Sequence, residues 1–442
     1  MPASLIDPRF AAAPKMLVRG FFAQNIAIGC SFGGFAVSVL AIEARYHSSR
    51  AMAEMLLALT LLSMSLLAPL AGGMIVRIGI RMTMTIGVVL SAAGYLALAF
   101  APTIAIVLAA SALLIGPGAA LFGALPASVL VSGWYPQAQG RALGIANVPL
   151  FIALIPLLGL FVIERFGVGS FFLCLAGLHI LLLPLMLGVK EAPVLAEETI
   201  EAAALSGHHP LRLILSIGMF WLIALGDGVL NATNITSTSH IIPMAMEGGV
   251  SPTAAALLLS IAGGATIFGS ILSGFLCDRL GAAQTLALSG FGSAISWAIL
   301  AATGWFPALV ISMTLSGICG AAVFPPTSVL VTRIFGAPAL PRVLGLLSVF
   351  TLPLTFVMSP AVGRVHDIVG SYSMVVIAMM IICALIAVEF LWVAARLDRT
   401  CRAESSAEPA KSVQGCEAAL RKHSAEHDAS GRRILICLTE EH

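Results

Sequence analysis

Charge is scarce in this chain. Of its 442 residues only 10% are Asp, Glu, Lys or Arg, 59% are apolar, and the mean hydropathy is +1.02. A water-soluble domain carries roughly 25% charged residues. A chain this poor in charge cannot cover its surface with polar groups, so lipid must be its solvent. The net charge of +2 offers no electrostatic footprint for nucleic acid. Close cysteine pairs are also missing. Cys30, Cys174, Cys277, Cys319, Cys383, Cys401, Cys416 and Cys437 lack the spacing of zinc sites or redox motifs. They read as small packing residues, and no disulfide framework, metal or cofactor is expected. His-Glu-x-x-His, Gly-x-Ser-x-Gly and nucleotide-phosphate loops are absent, so no enzyme is expected. Met1 to Lys15 holds Pro, Asp and Arg with no apolar run ending at a small-residue cleavage site, so the first apolar stretch reads as a retained helix.

What is present is a series of apolar runs, each near the roughly 20 residues that span a bilayer. Charges and turn residues divide the chain into twelve: Arg19 to Glu43, Met55 to Val76, Met82 to Ala101, Pro102 to Trp134, Ala142 to Ile163, Val168 to Val189, Leu213 to Ile242, Ala254 to Cys277, Ala283 to Thr303, Phe306 to Thr332, Val343 to Gly363 and Tyr372 to Ala395. In lipid each backbone must satisfy its own hydrogen bonds, so each run is a helix. Ser251 followed by Pro252 predicts the start of the eighth, a hydroxyl cap and then Pro at the first helical position. Arg9, Lys15, Arg19, Arg77, Arg81, Arg141, Lys190, Arg212, Arg279, Arg333, Arg342 and the basic tail fall on one side, against Arg45, Arg50, Arg165 and Arg364 on the other. The positive-inside rule puts the richer side, with both termini, in the cytoplasm of a multi-pass inner-membrane protein.

The halves resemble each other at an offset near 200 residues. Pro126-Ala-Ser-Val-Leu-Val-Ser-Gly-Trp-Tyr135 echoes Pro326-Thr-Ser-Val-Leu-Val-Thr-Arg-Ile-Phe335, Arg141-Ala-Leu-Gly144 echoes Arg342-Val-Leu-Gly345, and Val168-Gly-Ser170 echoes Val369-Gly-Ser371. A whole-half duplication follows. The expected fold class is an all-α membrane protein of twelve transmembrane helices in two pseudo-symmetric six-helix bundles, residues 1–189 and 213–396. A polar linker, 190–212, joins them, and a charged tail, 397–442, reads as disordered. Bundles related by an axis along the membrane normal form the parallel-repeat transporter plan.

The loop after the second run reads Gly72-Gly-Met-Ile-Val76-Arg77-Ile-Gly79-Ile-Arg81, and the loop after the eighth reads Gly274-Phe-Leu-Cys-Asp278-Arg279-Leu-Gly281. Here the chain resembles the major facilitator superfamily, whose signature in these loops is Gly, three residues, Asp-Arg-x-Gly and then basic residues. The glycines permit close helix approach and a tight turn. The Asp sits near a helix end and pairs with basic groups across the bundle, holding one conformer. Val76 departs from the pattern by replacing the first Asp. A narrower resemblance, to the monocarboxylate and oxalate/formate branch, rests on Ser31-Phe-Gly-Gly-Phe35, Ser49-Arg50-Ala51, Trp134-Tyr-Pro136 with Arg141-Ala-Leu-Gly-Ile145, Phe220-Trp221, His240, Gly249-Val-Ser-Pro252-Thr-Ala-Ala255, and Asp367 with Gly370-Ser-Tyr372. It implies alternating-access transport of small organic acids, by proton symport or exchange, with substrate midway between the halves. Members of the branch commonly carry an Arg in the eighth helix that pairs with a substrate carboxylate. That position falls near Ser270 here, which opens the way to neutral, weakly acidic or cationic substrates. Two alternatives stay open: proton-antiport efflux of drugs or metabolites, and a non-transporting sensor on a transporter fold. The fifth helix lacks the Gly-Pro-x-x-Gly-Gly run of drug/proton antiporters.

Asp227, Asn231, Asn234 and Thr238 are spaced four, three and four apart in the seventh run and share one helical face. Polar side chains facing lipid are expensive, so this face is expected to look into a cavity or onto a partner helix. With Gln24, Asn25 and Asn147 they form the expected substrate surface, since the superfamily plan lines its cavity with the first, fourth, seventh and tenth helices. Asp227 and His240 are the expected proton-coupling groups. Pro149, Pro156, Pro353 and Pro360 predict kinks in the fifth and eleventh helices. The expected partners are a small-molecule substrate, the lipid bilayer and protons, with no nucleic acid, and the chain is expected to be a monomer.

Overall fold

A computed structural model describes residues 10–193, 211–302 and 304–399, with the side chains of Arg50 and Ala51 outside the description. Ten helical stretches are long and apolar enough to cross a membrane. They are α1 (Ala13–Tyr46), α2 (Met52–Ile78), α3 (Ile80–Phe100), α4 (Ile104–Trp134), a joined pair over Gln139–Leu187, α8 (Pro252–Leu280), α9 (Ala282–Ala302), α10 (Phe306–Phe335), α11 (Ala337–Val369) and α12 (Ser373–Arg399). The joined pair divides at Gly167, whose φ of 81° and ψ of 165° are non-helical, into α5 (139–166) and α6 (168–187). The seventh, α7 (Gly218–Glu247), is long enough to span but has its apolar character diluted by its polar residues. The described residues therefore carry the twelve spans the hydropathy predicts. Residues 10–390 pack as one unit, with residues 391–399 completing α12. Nearly all of the expected linker and tail, at 194–210 and 400–442, lies outside the described residues.

Local sequence sets the helix ends. Ser251 accepts a hydrogen bond from the Ala254 N–H at 3.4 Å and starts α8, as predicted. Ser49 does the same for α2, accepting from Met52 N at 3.3 Å. The loops after α2 and α8 turn on Gly79 (φ 85°) and Gly281 (φ 103°), the last glycines of the two matching motifs. A side chain at either would be strained in this left-handed region. Helix breaks occur inside the bundle as well. Single turns of π-helix interrupt α1 at Gly29–Gly33 and α4 at Ser111–Ile115. α4 breaks again at Gly123, just before Pro126, and α10 breaks at Ala322–Val323, just before Pro325 and Pro326. These breaks fall at the start of the repeated Pro-x-Ser-Val-Leu-Val motif in each half.

Of the four prolines expected to kink the fifth and eleventh helices, one interrupts its helix. Pro149 breaks α5 outright: residues 147–150 leave the helix, as expected when Pro disfavours helical geometry at the preceding Val148. Pro156, Pro353 and Pro360 remain inside continuous helix. Asn147, expected inside a continuous fifth helix, instead ends its first segment.

Small residues bring the helices together, as they must when lipid removes any hydrophobic drive between them. Gly118 of α4 approaches Gly87 of α3 so closely that a Cβ added at Gly118 would lie 2.7 Å from the Gly87 carbonyl oxygen. Ser296 and Ser312 tie α9 to α10, each hydroxyl donating to the other's carbonyl at 2.8 Å. Leu113, Leu157, Leu181 and Phe268 point outward, as a lipid-facing surface requires. Gly118→Ala should therefore lower stability by about 1–3 kcal/mol through overpacking, whereas Gly177→Ala, where a Cβ meets open space, should not. Thermal unfolding of the two variants in detergent compares them; equal midpoints would refute the close α3–α4 contact.

Candidate functional site

The two ends of the bundle differ. At one end the N-terminal and C-terminal six helices close against each other along a seam. Asp278, at the end of α8, accepts from the Gly140 N–H at 2.8 Å through Oδ1, and from the Arg141 N–H at 3.1 Å and Arg141 Nε at 2.9 Å through Oδ2. The carboxylate thus caps the first turn of α5, where backbone donors and the helix dipole favour an anion. The helices meet backbone to backbone. A Cβ at Gly274 would sit 2.5 Å from the Gly140 carbonyl oxygen, and one at Gly144 would sit 2.6 Å from that of Ser270. The matching contact in the other half pairs Gly72 of α2 with the Pro341 carbonyl of α11, and Gly345 with that of Ala68 at 2.7 Å. Gln139 Nε2 donates to Thr332 Oγ1 of α10 at 2.9 Å. An apolar cluster of Val131, Ala142, Leu143 and Ala146, joined by Val329, backs the seam.

The motif residues divide between these contacts. Gly72, Gly274 and Asp278 lie in the seam, and Gly79 and Gly281 make the turns. Arg77 and Arg279 sit in the last turns of α2 and α8, and Arg81 follows at the start of α3. Arg279 lies over the Phe275 ring, 4.2 Å from its centroid. Val76 is exposed and offers no acid to α11. The loop it belongs to is held from the start of the linker instead: Glu191 Oε1 accepts from the Ile80 N–H at 3.0 Å, capping α3.

Above the seam lies a cavity of about 920 Å³ between the halves, walled by α1, α2, α7, α10 and α11. On α2 its lining runs from Glu54 to Ser65. Seam residue Gly72 follows seven residues later, about 10 Å along the axis. Asp227, Asn231 and Thr238 line this cavity. Asp227 is nine residues into α7, about 14 Å along it, and only 7% exposed. Thr327 of α10 donates to its Oδ1 at 2.9 Å. Asn231 Nδ2 donates to the Asp227 carbonyl at 2.9 Å, and Thr238 Oγ1 to that of Ile235 at 2.9 Å.

Other expected residues stand elsewhere. Asn234 turns to α10, donating to the Ser316 carbonyl at 3.0 Å and packing on Gly320. At 100° per residue it trails Asp227 by about 20°, enough to move it from the cavity to the helix contact. Asn25 binds the broken fifth helix, its Oδ1 accepting from the Phe151 N–H at 3.1 Å. Asn147 donates to the Leu143 carbonyl at 2.9 Å. Gln24 is buried in α1, and its Oε1 has no hydrogen-bond partner among the described residues. These four do not line the cavity. The expectation that Gln24, Asn25, Asn147 and Asn234 form its surface is corrected accordingly. His240 sits at the rim. Its Nδ1 lies 3.3 Å from Tyr372 Oη, and its Nε2 lies 3.1 Å from the carbonyl of Ser359, a residue of the cavity wall.

Several lining residues escaped the sequence reading. Thr327 stands directly after Pro326 in the repeated motif, a signal that was available. Ser348, Thr351 and Thr355 of α11 line the cavity at spacings of three and four. That is a second polar face, of the kind recognised in α7. Phe32, Phe35, Phe324 and Phe356 also line it, and a phenylalanine in an apolar helix carries no signal of its own. Ser270, near which the resemblance implies an Arg, is 1% exposed and donates to the Gly144 carbonyl at 2.8 Å within the seam.

Comparison with known proteins agrees with this architecture. The family model described as Major Facilitator Superfamily matches residues 21–235 and again 228–425, once for each half. Human monocarboxylate transporter 6 is 26% identical over 346 residues, covering 70% of this chain; the chain spans 65% of that relative's length. The crystal structure of a major facilitator transporter, FucP, in the outward conformation superposes with a TM-score of 0.70 at 15% identity, covering 87% of this chain and 99% of that one. The proton:xylose symporter XylE bound to 6-bromo-6-deoxy-D-glucose gives 0.69 at 15% identity, covering 86% and 95%. With twelve spans, a family model matched in both halves and a cavity between them, this chain belongs to the major facilitator superfamily of secondary transporters and resembles its monocarboxylate branch.

Proposed function

We propose that this transporter moves a small organic solute across the cytoplasmic membrane by alternating access, with the cavity as its outward-facing substrate chamber and the Asp278 seam as its closed cytoplasmic gate. The observation that carries the reading is the pairing of a cavity of about 920 Å³ on one side with the contacts between the halves at Asp278 on the other. The excess of arginines at the seam end supports its cytoplasmic placement. Asp227, Asn231, Thr327 and Thr238 form the polar wall that would orient the solute. Asp227 is the group suited to proton coupling, because alternating access moves a carboxylate between a wet and a dry environment.

Similarity to the human monocarboxylate transporter puts small organic acids among the solutes to test. Labelled uptake into vesicles, with and without a protonophore, separates coupled transport from exchange or facilitated diffusion. A protein that moves no labelled solute under any gradient would instead be a sensor.

Two outcomes are expected. Asp278→Asn removes the charge from the α5 cap and should weaken the seam by about 1 kcal/mol, a shift of about fivefold in the balance of open and closed states. Cys277 is a built-in reporter, buried against Gly140. In a chain retaining Cys277 alone, its alkylation should quicken by about the same factor, and an unchanged rate would rule out this gate. Asp227→Asn keeps an oxygen for Thr327 but does not titrate. It should abolish pH-driven accumulation while leaving exchange, whereas Asp227→Leu should lose both. Wild-type pH-dependent uptake by folded Asp227→Asn protein would reduce Asp227 to a structural role.

A further inference from the structure

We infer that the cavity selects a solute bearing a positive charge, a small organic ammonium ion, with Asp227 as its counter-ion and the surrounding phenylalanine rings as its second contact. The inference rests on the cavity being the substrate chamber.

Three observations converge on it. First, the residues lining the cavity include Asp227 and Glu54 but no Lys, Arg or His. Glu54 has a contact of its own, so Asp227 carries the argument. It is buried on the wall, Thr327 engages one of its oxygens, and no basic side chain among the described residues pairs with it. A carboxylate without a cation, in a cleft with low-dielectric walls, concentrates negative potential where the solute must sit. Second, an anionic solute finds no guanidinium on this wall to grip its carboxylate through two parallel bonds, and it meets Asp227 instead. Third, four phenylalanines, Phe32, Phe35, Phe324 and Phe356, line the same cavity. Aromatic ring faces attract cations and gain nothing from anions. Charge and aromatic surface therefore order solutes in one direction: ammonium above neutral, neutral above carboxylate.

Phenethylammonium, phenethyl alcohol and phenylacetate share a shape and differ in charge. Titration calorimetry on the purified full chain should find phenethylammonium bound at least about tenfold more tightly than phenylacetate. Asp227→Asn should erase that preference, bringing the affinities for phenethylammonium and phenylacetate within about twofold of each other. Equal or tighter binding of phenylacetate, a preference that survives in Asp227→Asn, or no binding of any of the three overturns the inference. Flux of the labelled compounds above that of protein-free vesicles separates this result from the transport reading. Phenethylammonium bound but not moved would refute transport and leave the site assignment standing. Phenylacetate moved in preference would refute the assignment and leave transport standing.

Discussion

Within a bilayer there is no water to satisfy a peptide group, so every N–H and C=O must find a partner inside the protein. That constraint fixes the helices, and it makes each departure from α geometry informative. The departures gather in α1, α4, α5 and α10, as π-turns, the break at Gly123, the gap at 147–150 and the break at Ala322–Val323. They are supported from within: the Gly123 N–H still reaches the Ala119 carbonyl at 2.8 Å, and Asn25 supplies an acceptor for Phe151. Broken helix is tolerated at membrane depth where protein or a cavity surrounds it. Phe32, Phe35, Phe324 and Thr327 reach the cavity from segments beside these breaks.

Much of this was legible in the sequence because lipid makes it so. Spans, their number and the repeat follow from hydropathy and self-similarity, and the Ser251 cap and the Asp278 helix-end contact follow from local chemistry. The site was legible only in part. A polar stripe announces that a face is not lipid-facing, but it does not say whether a cavity or a neighbouring helix receives it. Asp227, Asn231 and Thr238 went to the cavity and Asn234 to Ser316, a division set by a rotation of tens of degrees. Gln24 and Asn25 were read as lining because their helix lines the cavity, yet only one side of α1 does. The turn between the fifth and sixth spans falls at Gly167, directly before Val168, where the hydropathy starts the sixth.

The duplicated halves have drifted apart where they meet. In one, an acid at position 278 crosses to the other half and holds Gly140 and Arg141. In the other, Val76 stands in its place, and the loop's acid comes from Glu191, at the start of the linker, which caps α3. One side of the closed end is thus fastened by charge-assisted bonds, and on the other Gly72 fits against α11 and Gly345 against α2.

The glycine contacts of that seam have a consequence for its closing. Where Gly274 faces the Gly140 carbonyl and Gly144 faces that of Ser270, an added Cβ would lie 2.5 and 2.6 Å from the oxygen. The two backbones can meet only because no side chain stands between them, so a single methyl group at either position would act as a wedge holding the halves apart.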